Sequence, residues 1–210
     1  MIVHPIGMMR ANAAGGVIFS DDFGSTYHTL GNALTASGLY TNIDGFRPIK
    51  SKDSGGTRVA AQDTGTQQSE IVTYTAAPVP DMRKVSLTVR NFRDGAAGKV
   101  FRLYGAYTDS NNHVDVNLDL GGYVGIYHKV SGVNSPGVSV GPGVMSEGDT
   151  ISVELNGTSM SVKINGSHIG ASPYTVTPPG GGYGPPGFYQ EILATTTEAT
   201  EFTLFEVEEL

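Results

Sequence analysis

Between Gly148 and Ile169 the chain reads GDTISVELNGTSMSVKINGSHI. Ile151, Val153 and Leu155 alternate with Ser152 and Glu154, and Met160, Val162 and Ile164 alternate with Ser161 and Lys163. A repeat of two places one set of side chains on a buried face and the other in water, which predicts two half-buried strands. Asn156-Gly157-Thr158-Ser159 separates them and Asn165-Gly166 follows. Asn-Gly accepts the positive φ angles of a tight hairpin, so the stretch predicts a strand–turn–strand–turn meander.

The same reading extends along the chain. Strands are expected at Val17–Phe23, Arg58–Ala61, Glu70–Thr75, Val85–Phe92, Val100–Tyr107, His113–Leu118 and Val124–Val130, then from Gly187 and over Phe202–Val207. In the strand after the polar turn Asp109-Ser110-Asn111-Asn112, Val114, Val116 and Leu118 take one face. His113, Asp115, Asn117 and Asp119 take the other, which reads as a solvated face. The segments 29–40, 132–148 and 173–187 read as loops rich in turn residues, with a short strand expected at Val138–Val140. No segment repeats apolar residues at helical spacing, and no unit recurs as in a solenoid or propeller. About a dozen short strands in 210 residues predict one all-β domain of two packed antiparallel sheets.

Composition narrows the picture. The formal net charge of −7 and the lack of any Lys/Arg cluster exclude a polyanion-binding surface, so no nucleic-acid partner is expected. With no Cys there are no disulfides and no thiolate metal sites. Residues 1–16 (MIVHPIGMMRANAAGG) lack the continuous apolar run of a signal peptide, and no membrane span is expected. Ile2, Val3, Ile6, Met8 and Met9 instead suggest an N-terminal arm that docks on a partner, ahead of a domain over 17–210.

Several pieces, in order, resemble the concanavalin A-like lectin/glucanase superfamily, with its laminin-G-like branch. They are Phe19-Ser20-Asp21-Asp22-Phe23; Tyr107-Thr108-Asp109-Ser110-Asn111-Asn112 before an alternating strand; Gly148-Asp149-Thr150-Ile151-Ser152-Val153; Val162-Lys163-Ile164-Asn165-Gly166; Gly187-Phe188-Tyr189; and a final Phe-rich strand. The resemblance implies a two-sheet antiparallel jelly-roll sandwich, with ligands on the concave sheet or at the loop rim. It spans sugar binders, glycosidases and assembly domains, including structural proteins of tailed phages.

Glycosidases of that superfamily carry Glu-x-Asp-x-Glu on one strand. Asp115-Val116-Asn117-Leu118-Asp119 is the similar run here, with Asn at its centre and shorter Asp at both ends. Ends four residues apart lie roughly 13 Å apart along a strand, too far for a retaining pair. No catalytic residue is therefore expected. Asp109, Asn111 and Asp115 offer oxygens for a Ca²⁺ ion of the kind some relatives hold at the rim, and no other cofactor is expected. Saccharides favour an aromatic platform beside hydrogen-bonding groups. With no Trp, the candidates are Tyr123, Tyr127 and Tyr183 with His113, Asp115 and Asn117, then Tyr174 and His128.

The leading functional expectation is a non-enzymatic virion structural or assembly protein, a head-surface decoration or tail component made in the host cytoplasm. Its partners would be other virion proteins or copies of itself, met through the arm, with surface polysaccharide as a further contact. The alternative is a carbohydrate-binding, lectin-like module. Glycoside hydrolysis fits worst.

Overall fold

The structure, a computed structural model, describes residues 16–45, 48–64, 68–92, 99–119, 122–192 and 199–210. Its strands are β1 (Val17–Asp21), β2 (Tyr40–Gly45), β3 (Lys50–Ser54), β4 (Thr57–Ala61), β5 (Gln68–Tyr74) and β6 (Arg83–Asn91). They continue with β7 (Lys99–Asp109), β8 (Asn112–Asp119), β9 (Val124–Val130), β10 (Val133–Val140), β11 (Thr150–Asn156) and β12 (Ser159–Ile164). The last are β13 (Ser167–His168), β14 (Tyr174–Thr175), β15 (Gly187–Ile192) and β16 (Glu201–Glu209). One 3-10 turn, Leu34–Ser37, is the helical element among the described residues. None of their helices is long and apolar enough to cross a membrane.

The strands form two antiparallel sheets. A nine-stranded sheet runs β13-β12-β11-β6-β16-β4-β3, with β1 beside β16 and β14 beside β12. A seven-stranded sheet runs β10-β9-β8-β7-β15-β5-β2. The meander forms as its alternation requires: Ile151 pairs Ile164, Val153 pairs Val162 and Leu155 pairs Met160. All six are buried. On the opposite face Lys163 bonds both carboxylate oxygens of Glu154 at 2.8 Å.

The core lies between the sheets. Phe188 of β15 meets Phe202 and Phe205 of β16 with ring centroids 5.4 and 5.3 Å apart, so the two sheets are joined by aromatic contact. Each such ring, wholly buried, contributes about 2–3 kcal/mol of transfer free energy. The opening Phe19–Phe23 motif also turns inward. Asp21 is fully buried, and its carboxylate accepts from Tyr40 Oη at 2.8 Å and the Phe23 amide at 2.8 Å, and meets His28 Nε2 at 2.7 Å. Burial and the Asp21 charge hold the Tyr40 phenol well above its ordinary pKa.

Three segments depart from the alternation reading. Residues 40–45 and 50–54, for which the alternation predicts no strand, are β2 and β3, and 133–140 forms one long edge strand with Pro136 inside it. β2, β3 and β10 each end a sheet, where one side of the strand has no ladder partner and the burial pattern is weak. The strand β8 departs in the other direction. Asp115 and Asn117, expected in solvent, are each only 1% exposed. Both faces of β8 are therefore buried, and the outer one has its own polar neighbours.

Candidate functional site

The outer face of the seven-stranded sheet is assembled by register. Asp115 of β8 lies opposite Tyr104 of β7 on one side and Tyr127 of β9 on the other. One step along, Asn117 lies between Arg102 and Gly125, and Arg102 in turn pairs Tyr189 of β15. Residues three apart on a strand normally face opposite ways, yet Tyr104 and Tyr107 share this face. The ladder slips between Tyr104 and Ala106, and the extra residue, Gly105, restores the phase. A side chain at Gly105 would meet Val153 Cγ1 of the other sheet at 2.8 Å, so glycine suits this bulge.

The aromatic groups form a cluster. Tyr104 and Tyr107 meet edge to face at 4.9 Å, and His113 stacks on Tyr107 at 6.0 Å. His113 Nε2 is 3.3 Å from Asp115 Oδ1, while its Nδ1 is 3.1 Å from the Asp109 carbonyl oxygen. Asn117 Nδ2 donates to Asp115 Oδ2 at 3.1 Å. Burial pushes the Tyr104 phenol up, so it stays a neutral hydroxyl. Arg102 lies over the Tyr189 ring, 5.4 Å from its centroid. Burial works against the Arg102 charge, but Tyr104 and Asp115 outweigh it and raise its pKa.

Tyr127 is half-buried and lies down on the sheet. Its ring covers Gly125, where an added Cβ would stand 2.7 Å from Tyr127 Cε2. The other side of the ring reaches towards Gly137, where the distance from such a Cβ to Cδ1 would be 3.7 Å. Two glycines, on the same strand and the next, thus leave room for a flat tyrosine.

Of the residues expected to contact a saccharide, the structure brings together Tyr127, His113, Asp115 and Asn117. Tyr123, 43% exposed, precedes β9 in phase with Gly125 and Tyr127 and so falls at the end of the same face. Tyr183 is placed elsewhere. It is 9% exposed within the inter-sheet core, its amide donates to Asp81 at 3.0 Å, and its hydroxyl is 3.4 Å from His128 Nε2. Burial pushes its phenol up to about 12. Beside it a cleft of about 420 Å³ is lined by Tyr74, Arg83 and the 183–185 loop. Arg83 is fully buried and donates to the carbonyls of Gly105, Pro80 and Gly184, so this cation is a clamp on that loop. Tyr174 and His128 also pack inward, towards β12 and Tyr183. Arg102, Tyr104, Tyr107 and Tyr189 went unrecognised in the sequence, because the bulge and the β15 pairing that place them leave no periodic trace.

The calcium set does not converge. Asp109 Oδ1 accepts the Asn111 amide at 2.7 Å and both its oxygens lie 3.1 Å from Asn112 Nδ2, which holds its pKa below the usual carboxylate range. Asp115 is buried three residues into β8, against His113 and Asn117. Calcium needs about six to eight converging oxygens. Among the described residues there is no group of three or more His, Cys, Asp or Glu able to hold a metal. Asp109, Asn111 and Asp115 therefore do not fit a shared ion. The arm residues Ile2, Val3, Ile6, Met8 and Met9 lie outside the described residues.

Solved structures align with this chain over most of its length. The metal-free exoplasmic/lumenal domain of VIP36 aligns with a TM-score of 0.57 at 9% identity, covering 88% of this chain and 89% of that one. Its Ca²⁺/Man-bound form aligns at 0.54 and 9% identity over 82% and 83%. The metal-free carbohydrate recognition domain of Emp46p aligns at 0.57 and 11% identity over 86% and 93%. The fold is a concanavalin A-like sandwich. No protein-family model matches the sequence, and no curated protein matches it.

Proposed function

We propose that this protein is a carbohydrate-binding, non-enzymatic domain that takes a saccharide on the outer face of its seven-stranded sheet. The observation carrying this reading is the flat Tyr127 beside the buried Asp115–Asn117 pair. A sugar presents C–H groups on one side and hydroxyls at its rim. A tyrosine lying down offers a face to the former, and carboxylate and amide oxygens accept the latter. The similarity in fold to domains described as mannose-bound or as carbohydrate recognition domains supports it.

Hydrolysis is disfavoured by the same geometry. Asp119 Oδ1 accepts the Tyr123 amide at 3.0 Å, which commits it to the turn after β8. Asn117, between the two aspartates, is a neutral amide that does not titrate and so supplies neither general acid nor base. The next carboxylate in phase on this face, Glu191, lies two strands over and four residues along from Asp115's row, roughly 16 Å away. Glycosidase pairs need about 5–9.5 Å. A virion role would rest on the arm, and nothing among the described residues favours it.

The test is a glycan array read with matched stability measurements. Wild-type protein is expected to bind, with EDTA making no difference, since the named oxygens do not assemble a calcium site. Tyr127→Ala should weaken binding about tenfold or more while Tm holds. Tyr183→Ala should lower Tm by several degrees, because it removes a core ring. An array on which the wild type binds no saccharide would overturn the reading.

A further inference from the structure

Two buried polar atoms on the sheet's outer face have no hydrogen-bond partner: Asn117 Oδ1, an acceptor, and Arg102 Nε, a donor. Their residues are direct cross-strand neighbours, which sets their Cβ atoms about 5 Å apart on one face. Such orphans are rare in folded proteins, since each costs roughly 1–3 kcal/mol. Here one of each kind stands side by side. Next to Asn117 the sheet has Gly125, where a Cβ would lie 2.9 Å from Asn117 Oδ1 and 2.7 Å from the Tyr127 ring. The missing side chain lets the Tyr127 ring and the Asn117 amide close over Gly125, which sets the aromatic ring directly beside the orphan acceptor.

We infer that Arg102 Nε and Asn117 Oδ1 together seat a single hydroxyl of a neutral saccharide, with the sugar's carbon face lying against the Tyr127 ring. This rests on the carbohydrate-binding reading and deepens it. The argument is one of complementarity. A carboxylate or sulfate would satisfy Arg102 but has no proton for Asn117. An ammonium would satisfy Asn117 but meets Arg102 as a like charge. A hydroxyl accepts from one and donates to the other at once. Asp115, whose carboxylate already receives Asn117 Nδ2, adds a negative charge beside the seat and disfavours anionic sugars further. The chain's net charge of −7 acts in the same direction.

The experiment uses the full chain on an array of neutral gluco-, manno- and galacto-configured oligosaccharides beside uronate-bearing and sulfated counterparts. Arg102→Lys keeps the charge but removes the Nε donor, and Gly125→Ala displaces the Tyr127 ring, since its Cβ would stand 2.7 Å from Cε2. Wild-type protein is expected to bind neutral oligosaccharides only. Arg102→Lys should lose about tenfold or more, the worth of a hydrogen bond to a charged group, at an unchanged Tm, and Gly125→Ala should weaken binding as well. If Gly125→Ala fails to fold, Arg102→Lys decides alone. Neutral-sugar binding that Arg102→Lys leaves intact overturns the hydroxyl seat while leaving the carbohydrate reading standing. Binding confined to acidic saccharides does the same. A wild-type protein that binds no saccharide overturns both.

Discussion

Glu70 turns its carboxylate inward from β5, where it accepts from the Ile49 amide and from Asn42 Nδ2 at 2.8 Å. Burial outweighs the Ile49 bond and raises its pKa from 4.5 to about 7. The folded state therefore holds this proton more tightly than the unfolded chain does. Its stabilising effect is complete below about pH 4.5 and is lost as pH rises through about 7. The upper bound on that loss is roughly 3 kcal/mol. Asp63 behaves oppositely: hydrogen bonds from Lys50 and Lys52 lower it to about 2, so its contribution fades only in stronger acid. Glu70→Gln should accordingly flatten the fall in unfolding free energy between pH 5 and pH 8, measured by urea denaturation. An unchanged slope would place the titrating group elsewhere. At this scale the sequence discloses side chains whose partners are local. His113, Asp115, Asn117 and Tyr127 share a face because β8 and β9 alternate without interruption. Tyr104, Tyr107 and Arg102 do not disclose themselves, because their common face depends on one extra residue, Gly105.

Elements differ in how much of themselves they encode. The β11–β12 meander is legible since its apolar set is wholly buried and its turn residues are specific. Ile151 pairs Leu87 of β6 on one side and Ile164 on the other, so it lies within the ladder and against the core at once. Ile151→Asp would put an unpaired carboxylate there, and the variant is expected to be unfolded or insoluble. On the solvent side of the same strand, Glu154→Ala loses only the cross-strand bond to Lys163, worth about 1 kcal/mol or less. Circular dichroism and thermal melts separate the two, and a mild Ile151→Asp beside a severe Glu154→Ala would mean the faces are exchanged. β3, by contrast, reads Lys50-Ser51-Lys52-Asp53-Ser54 with no apolar residue. It is a strand because β4 pairs it over five positions and because Ser51 is buried with its hydroxyl on the Phe23 carbonyl. A side-chain bond to a carbonyl 28 residues away is not written in local periodicity. The lysines of this edge strand, half-buried against Asp63, still carry a meaning: charge on an edge discourages edge-to-edge association with other chains.

At the scale of the molecule, fold class follows from the sequence because every long apolar alternation demands a second sheet to cover it. The order of strands does not follow. β16, last in the chain, sits between β6 and β4 and also pairs β1, so the termini of the domain meet inside one sheet. The Glu209 amide donates to the Gly16 carbonyl at 3.0 Å, and Val17 pairs Glu208. Among the described residues, the core cluster runs from Phe19 to Val207 and both sheets are built from residue 17 onward. This closure makes a prediction about the apolar N-terminal residues. A chain shortened to residues 16–210 keeps β1, its pairing with β16 and the Gly16–Glu209 hydrogen bond. Removing residues outside a closed core typically changes stability by no more than about 0.5 kcal/mol, or about 1–2 °C in Tm for a chain of this size. The shortened protein should therefore melt within that margin of the full chain and bind the same saccharides on the array. Five apolar side chains, Ile2, Val3, Ile6, Met8 and Met9, would be gone. If they mediate contact with a partner or a second copy, sedimentation of the full chain will show an assembly that the shortened one lacks. A drop in Tm of several degrees would instead assign the segment to the domain's own packing, and the boundary at residue 16 would have to move.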